Sequence, residues 1–257
     1  MMSRMKDRYG PWAVVAGASE GIGAAFAAAL AGHGINLVLV ARRPEPLATL
    51  AAVLPVDTVT VAADLAYGVE PILAATRDLE VGLVVCNAAY SPIGPFLDTD
   101  PAETRRALDL NCAVPLALAH AYLPAMANRK RGGFVVMSSL AGQQGSPLLT
   151  AYAATKAFGA VFAEGLWSEM RAHGVDVVTT VAGAVATPNL GKTAGRPAPG
   201  TVTPTEVAAS ALAALGRGPR TVPGPLMKVS SAFMSRLLPR KAAIAMMGRA
   251  NAAVLGQ

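Results

Sequence analysis

Two cysteines in 257 residues, Cys86 and Cys112, are too few for a disulfide framework, and both fall in segments that read as buried. Free thiols in a reducing cytoplasm are the expectation. His33, His120 and His173 show no ligand spacing and have no cysteine partners, so no metal site is expected. No stretch approaches the roughly eighteen uninterrupted apolar residues of a membrane-spanning helix. The charged start, residues 1–8, lacks the apolar run of a signal peptide. Charge is scarce at 15% against 53% hydrophobic residues, which excludes disorder and demands a substantial core. Repeats, low-complexity segments and composition breaks are absent, so residues 1–257 read as one domain. Acidic residues are missing altogether from 217 to 257, where Arg217, Arg220, Lys228, Arg236, Arg240, Lys241 and Arg249 fall. The net charge of +6 therefore belongs to the tail, and no nucleic-acid-binding body is implied.

What is present alternates. An apolar run at 12–16 precedes a glycine-rich turn, Gly17-Ala18-Ser19-Glu20-Gly21-Ile22-Gly23, and residues 24–31 are rich in helix formers. Further strands are predicted at 35–40, 56–61, 81–85, 134–137 and 175–181, with a short last one at 221–222. Near-continuous apolar strands imply burial on both faces, as in a parallel sheet. The fold class predicted is α/β: a Rossmann-type doubly wound parallel sheet of about seven strands flanked by helices. Two long helices are expected, near 101–128 and 150–173, the first kinked or cut by Pro115 and Pro124. Thr203-Pro204-Thr205-Glu206 supplies an N-cap, a proline at the first helical position and a capping-box glutamate.

The chemistry concentrates on the second long helix. Tyr152 and Lys156 stand four residues apart, so one helical face carries both. A free phenol, with a pKa of about 10, is almost wholly protonated near neutrality. A fixed cation beside it favours phenolate and is expected to lower that value, making the phenol a usable acid and base. At the other end, a strand, glycine turn and helix present N–H groups and a helix N-terminus to a pyrophosphate. The spacing Gly-x-x-x-Gly-x-Gly differs from the tighter dinucleotide fingerprint.

Taken in order, these motifs resemble the classical short-chain dehydrogenase/reductase family over residues 12–187, with the likeness fading toward the C-terminus. Asp64-Leu65 is similar to that family's adenine-contacting position, Cys86-Asn87-Ala88-Ala89 to its Asn-Ala-Gly motif, and Asn111 to its helix asparagine. Ser139, Tyr152 and Lys156 match its catalytic residues, and Ala182-Gly183 followed by Thr187 its nicotinamide segment. The resemblance implies that Gly17, Ser19, Gly21, Ile22, Gly23, Asp64, Leu65, Asn87, Ala88, Val185 and Thr187 contact a cofactor, with Tyr152 and Lys156 at its reacting end. It also implies that Tyr152 exchanges a proton with the carbonyl oxygen, and that Lys156 lowers the tyrosine pKa and binds the nicotinamide ribose. Ser139 would polarise the substrate oxygen, and Asn111 would hold a water leading from Lys156 to solvent. Ser138 is adjacent, but the thirteen-residue interval to Tyr152 selects Ser139. Ala16, Ala89 and Ala182 replace the usual threonine, glycine and proline; all are support positions, so tuning rather than loss of activity is expected.

Cofactor choice turns on the end of the second strand. An acid there accepts a hydrogen bond from the NAD ribose and repels a 2′-phosphate. This chain reads Val40-Ala41-Arg42-Arg43, two guanidinium groups suited to a phosphate. Arginines opening a loop are otherwise simply solvated, and Glu20 in the glycine turn weakens the case. NADP(H) is predicted over NAD(H), with Arg42 as main anchor and Arg43 beside it.

The substrate is expected to be a small apolar carbonyl or alcohol. Tyr90, Ile93, Phe96, Leu97, Leu148, Leu149, Leu190, Gln143 and Gln144 are the pocket candidates, with Lys192 and Arg196 available to an acidic tail. A substrate lid is predicted at 187–202, and a homodimer or homotetramer is implied by the resemblance. The basic, apolar extension at 225–257 covers the pocket, forms an interface or meets an anionic membrane, with Pro239 dividing it into two helices. The competing function is a non-catalytic dinucleotide sensor on the same fold.

Overall fold

A computed structural model of the chain describes residues 2–187 and 200–255. A first helix, α1 (Met2–Tyr9), leads into the alternating pattern: β1 (Trp12–Ala16), α2 (Gly21–Gly32), β2 (Asn36–Ala41), α3 (Pro44–Val53), β3 (Thr58–Ala62), α4 (Glu70–Ala75) and β4 (Val81–Cys86). The second half runs α5 (Pro101–Leu108), α6 (Val114–Arg129), β5 (Gly133–Ser139), α7 (Thr150–Arg171), β6 (Asp176–Ala182), α8 (Pro204–Ala214) and β7 (Arg220–Thr221). Two further helices, α9 (Pro225–Ala232) and α10 (Arg240–Leu255), close the described chain.

Seven strands form one parallel sheet in the order β3-β2-β1-β4-β5-β6-β7. The apolar runs are explained by their two-sided burial. Ala13, Val15, Leu37, Leu39 and Val85 pack on one face with Phe26 and Leu30 of α2. Val14, Val38, Val84, Phe134 and Val136 pack on the other with Leu118 and Met126 of α6. Edge strand β3 is less buried and alternates threonine with valine, as one wet face requires. Chain order reverses between β1 and β4, which opens a crevice at their carboxyl ends, where ligands bind in such sheets.

The first long helix differs from expectation in how it meets its prolines. A π turn, Asp109–Ala113, separates α5 from α6, so Pro115 falls in the first turn of the resumed helix, where its missing N–H matters least. Pro124 lies inside α6 without dividing it. The run Pro101–Arg129 is the one described helix long and apolar enough to cross a membrane, yet half of its apolar window is buried within this fold. The capping box at Thr203 and Glu206 is formed, and the tail divides at 238–239.

Leu118 is fully buried between α6 and the sheet. Leu118→Ala is expected to remove about 2–5 kcal/mol of stability, read from urea unfolding; a loss below ~1 kcal/mol would contradict the packing described.

Candidate active site

The crevice begins at the glycine turn. Gly17 and Gly21 have φ of 83° and 58°, left-handed values that suit glycine. A Cβ on Gly17 would stand 2.7 Å from the Ala88 nitrogen, and one on Gly23 would overlap the Gly17 carbonyl. The turn thus presses the start of α2 against the loop after β4. Asn87 locks the contact by donating from Nδ2 to the Gly17 carbonyl at 2.8 Å. Ala16, in the usual threonine position, is wholly buried and accepts from the Asn87 and Ala88 amides through its main chain.

Helix α2 starts with no side-chain cap, so its first N–H groups face the crevice. A cavity of about 440 Å³ extends from there, lined by Gly17, Ser19, Gly21 and Ile22 at one side and by Arg42, Arg43, Asp64 and Leu65 at the other. Thus a long groove has amides at its middle and guanidinium groups at one end, which fits a dinucleotide. Arg42 is exposed and forms no hydrogen bond or ion pair among the described residues, though its charge helps lower the Asp64 pKa. Arg43 is tied to Glu20 at 3.0 Å. The two arginines predicted together are therefore not equivalent.

Asp64 accepts from the Ala66 amide at 3.1 Å and from Arg106 Nη2 at 2.5 Å. Burial pushes its carboxyl up, but the amide and the guanidinium together hold it below the usual range. The Arg106 guanidinium also lies 5.5 Å from the Tyr90 ring centroid. Sequence reasoning missed Arg106, for nothing local marks a residue 42 positions from its partner.

A second cavity of about 250 Å³ adjoins the first, sharing Ile22, Asn87, Ala89 and Thr187 with it. Ser139, Tyr152, Lys156, Gly183 and Val185 line it. Ser139 ends β5 and Tyr152 lies in the first turn of α7, so adjacent elements bring them together. Ser138 also lines the cavity, but its hydroxyl donates to the Lys156 carbonyl at 2.7 Å and joins strand to helix, which leaves the Ser139 hydroxyl to act there. Lys156 Nζ donates to the Met137 carbonyl at 2.9 Å and lies 5.6 Å from the Tyr152 ring centroid. Burial lowers the lysine to about 8.

That lysine does not depress the phenol as expected. Burial raises the Tyr152 pKa above its ordinary value, and the Ser139 hydroxyl offsets this only in part. The ammonium is spent on a carbonyl, and its own burial weakens its charge. A phenol so held is a proton donor across the neutral range.

Asn111 sits in the π turn, nearly fully buried. Its Nδ2 donates to the Tyr90 carbonyl and to Thr155 Oγ1, and its Oδ1 accepts from the Tyr90 amide. Both donors are used, leaving only a second lone pair on Oδ1 for the expected water. Thr155 in turn donates to the Tyr152 carbonyl at 2.7 Å. Thr155 was also missed, although a threonine three residues after Tyr152 shares its helical face.

Several pocket candidates lie elsewhere. Gln143 donates to Ser231 Oγ and Gln144 to the Leu140 carbonyl, so both amides serve the loop's interior. Phe96 and Leu97 are exposed, while Tyr90 and Ile93 line the larger cavity. Leu190, Lys192, Arg196 and most of the lid lie outside the described residues. From the tail, the Met227 sulfur accepts from the Gly183 amide at 3.3 Å. Arg240 donates to the Gln143 carbonyl, and Asn251 to Ser146 Oγ and the Pro147 carbonyl.

The model of a family described as short chain dehydrogenase matches residues 11–196. The chain is 36% identical over 185 residues to a very-long-chain 3-oxoacyl-CoA reductase of Podospora anserina, covering 68% of this chain and 54% of that protein. It is 33% identical over 189 residues to a 7beta-hydroxysteroid dehydrogenase of Clostridium sardiniense, covering 71% and 72%. It is also 33% identical over 183 residues to inactive hydroxysteroid dehydrogenase-like protein 1 of Rattus norvegicus, covering 68% and 56%. The match thus spans about half the length of the first and third relatives. Among solved structures, a 7beta-hydroxysteroid dehydrogenase superposes with a TM-score of 0.88 at 29% identity, covering 95% of this chain and 98% of that one. A short-chain dehydrogenase from Sphingobium yanoikuyae in complex with NADPH gives 0.77 at 28%, covering 89% and 96%. A 3-oxoacyl-[acyl-carrier protein] reductase with bound NAD from Brucella melitensis gives 0.71 at 26%, covering 85% and 94%.

Proposed function

The chain belongs to the short chain dehydrogenase family, and from that premise we propose that it interconverts an apolar ketone and a secondary alcohol with NADP(H) as cofactor. The observation that carries this is the meeting of Ser139, Tyr152 and Lys156 in one cavity that opens into the dinucleotide-shaped groove. The N-terminus of α2, with Ser19, Gly21 and Ile22, would hold the pyrophosphate, and Arg42 the 2′-phosphate. Asp64 and Leu65 would line the adenine end, and Val185 and Thr187 the nicotinamide end. When bound, NADP(H) supplies or accepts the hydride.

Within that frame Tyr152 donates its phenolic proton to the carbonyl oxygen, and Ser139 donates a hydrogen bond to the same atom. The raised phenol pKa favours reduction at neutral pH, since the reverse direction begins from phenolate. Lys156 would hold the cofactor ribose with its ammonium and return a proton to the tyrosine, regaining one from solvent through a water on the free Oδ1 lone pair of Asn111. Asn111 and Thr155 hold the first turn of α7 against Tyr90, fixing Tyr152 in position. Met137 and Val185 favour an apolar substrate, and Met227 of the tail packs behind the cavity on Gly183.

A sensor role is the second reading, favoured by the relative whose name calls it inactive. An apolar groove between α6 and α7, lined by Leu116, Leu123, Phe162, Leu166 and Met170, supports pairing with a second copy. Burial raises both thiols, Cys112 to about 11, which suits unreactive cysteines in a reducing cytoplasm.

NADPH consumption against a panel of apolar ketones tests the proposal. Ketone-dependent oxidation of NADPH in preference to NADH is expected; tight NADPH binding with no consumption would favour the sensor. A second check follows from Lys156, whose free-state value of about 8 should rise once ribose hydroxyls accept from it. The complex then holds more protons near pH 8 than the free protein. NADPH binding should take up protons there, and affinity should fall as pH rises through 8, by up to about tenfold per unit. Calorimetry in two buffers of different ionisation enthalpy reads the uptake, and Lys156→Met should abolish it. No uptake in the native protein would contradict the role.

A further inference from the structure

The segment spanning α9 and the π turn Phe233–Leu237 has two apolar faces. The inner one is accounted for. Met227 and Ser231 are buried, the first against Gly183 at the ketone cavity and the second under Gln143. The outer one is not. Leu226, Val229, Phe233 and Leu237 are 55%, 66%, 45% and 73% exposed. Their spacing of three, four and four gathers them into one stripe, where a surface helix ordinarily carries polar side chains.

Cations lie close to the stripe along the chain. Lys228, Arg240 and Lys241 are exposed nearby in sequence, and residues 217–257 hold seven Lys and Arg with no acid. We propose that this stripe is a docking face for an anionic lipid bilayer. The four apolar side chains enter the headgroup and acyl boundary, and the flanking cations meet lipid phosphates. Charge argues against a second copy as the occupant. A two-fold contact sets a patch on itself, which would bring these cations together with no acid in the segment to pair them. Bilayer binding stands independently of catalysis. Its functional consequence rests on the reductase proposal: the helix whose outer face meets lipid is the one whose inner face packs, through Met227, on Gly183 of the cavity that holds Tyr152, so an apolar ketone is taken up from the bilayer.

The test is co-sedimentation of the full chain with phosphatidylcholine vesicles, with and without phosphatidylserine, at low and high salt. Binding is expected only with phosphatidylserine, at about fivefold in affinity per engaged cation, and should be lost at high salt. Val229→Glu with Leu237→Glu should weaken it by about tenfold or more. Lys228→Glu with Lys241→Glu should do the same from the charge side. NADPH binding, measured on the same samples, should persist in both variants, since none of these residues lines the dinucleotide cavity. Failure of the native protein to sediment at low salt overturns the proposal. So does binding unchanged in both variants. A lower oligomeric state in Val229→Glu with Leu237→Glu, seen by ultracentrifugation without vesicles, would assign the stripe to a second copy and also overturn it.

Discussion

Tyr152→Phe is expected to lower ketone reduction by about a hundred- to ten-thousandfold while leaving NADPH affinity nearly unchanged. The substitution removes one oxygen. The ring keeps its place beside Lys156, 5.6 Å from Nζ to its centroid, and Thr155 still bonds the main-chain carbonyl of residue 152. What disappears is a half-buried phenol whose pKa lies above its ordinary value and whose proton is therefore present throughout the neutral range. Ser139 does not replace it, because an aliphatic hydroxyl is a far weaker acid. A loss confined to the Michaelis constant would mean that Tyr152 binds substrate and some other group supplies the proton. A large fall in NADPH affinity would mean that the helix has moved.

The second large effect concerns the 2′-phosphate. Arg42→Ala should weaken NADPH binding about ten- to a hundredfold, the equivalent of one charge-assisted hydrogen bond of about 1.5–3 kcal/mol. NADH affinity should barely change. Among the described residues Arg42 is the unpaired cation at the groove, whereas Arg43 is shared with Glu20 at 3.0 Å, both side chains of that pair about half exposed. Such a surface pair is worth only ~1 kcal/mol or less, so a phosphate competes with it, but on unequal terms. Arg43→Ala should therefore cost less than Arg42→Ala, and Glu20→Gln should tighten NADPH binding by releasing Arg43. Fluorescence titration with each cofactor separates these outcomes. Equal losses for NADPH and NADH in Arg42→Ala would remove the assignment.

Much of the fold was legible because a parallel sheet buries both faces of its strands. Runs such as 12–16 and 81–85 are apolar throughout, and no other element of that length needs to be. The convergence of Ser139, Tyr152 and Lys156 was legible for a different reason: strand and helix are consecutive, so spacing along the chain becomes distance in space. Properties set by three-dimensional surroundings were not. The lysine face predicted a lowered phenol pKa, but spacing carries no record of burial or of the Met137 carbonyl that takes the ammonium. Gln143 and Gln144 were read as pocket groups because a loop sequence does not say which way an amide turns. Arg106 was invisible because its meeting with Asp64 depends on how α5 lies against the loop that follows β3. The tail's cations were plain in the sequence. Which of its apolar residues face inward was not, since Met227 and Val229 look alike until the fold separates them.

The central claim is that the Tyr152 phenol delivers a proton to a ketone beside a bound dinucleotide. It is tested most directly by a single turnover. Native protein and Tyr152→Phe, each saturated with NADPH, are mixed with an excess of an apolar ketone, and the loss of nicotinamide absorbance is followed. One equivalent should be oxidised rapidly by the native protein and about a hundredfold or more slowly by the variant. Equal rates in the two, or no oxidation by native protein that binds NADPH tightly, would contradict the account.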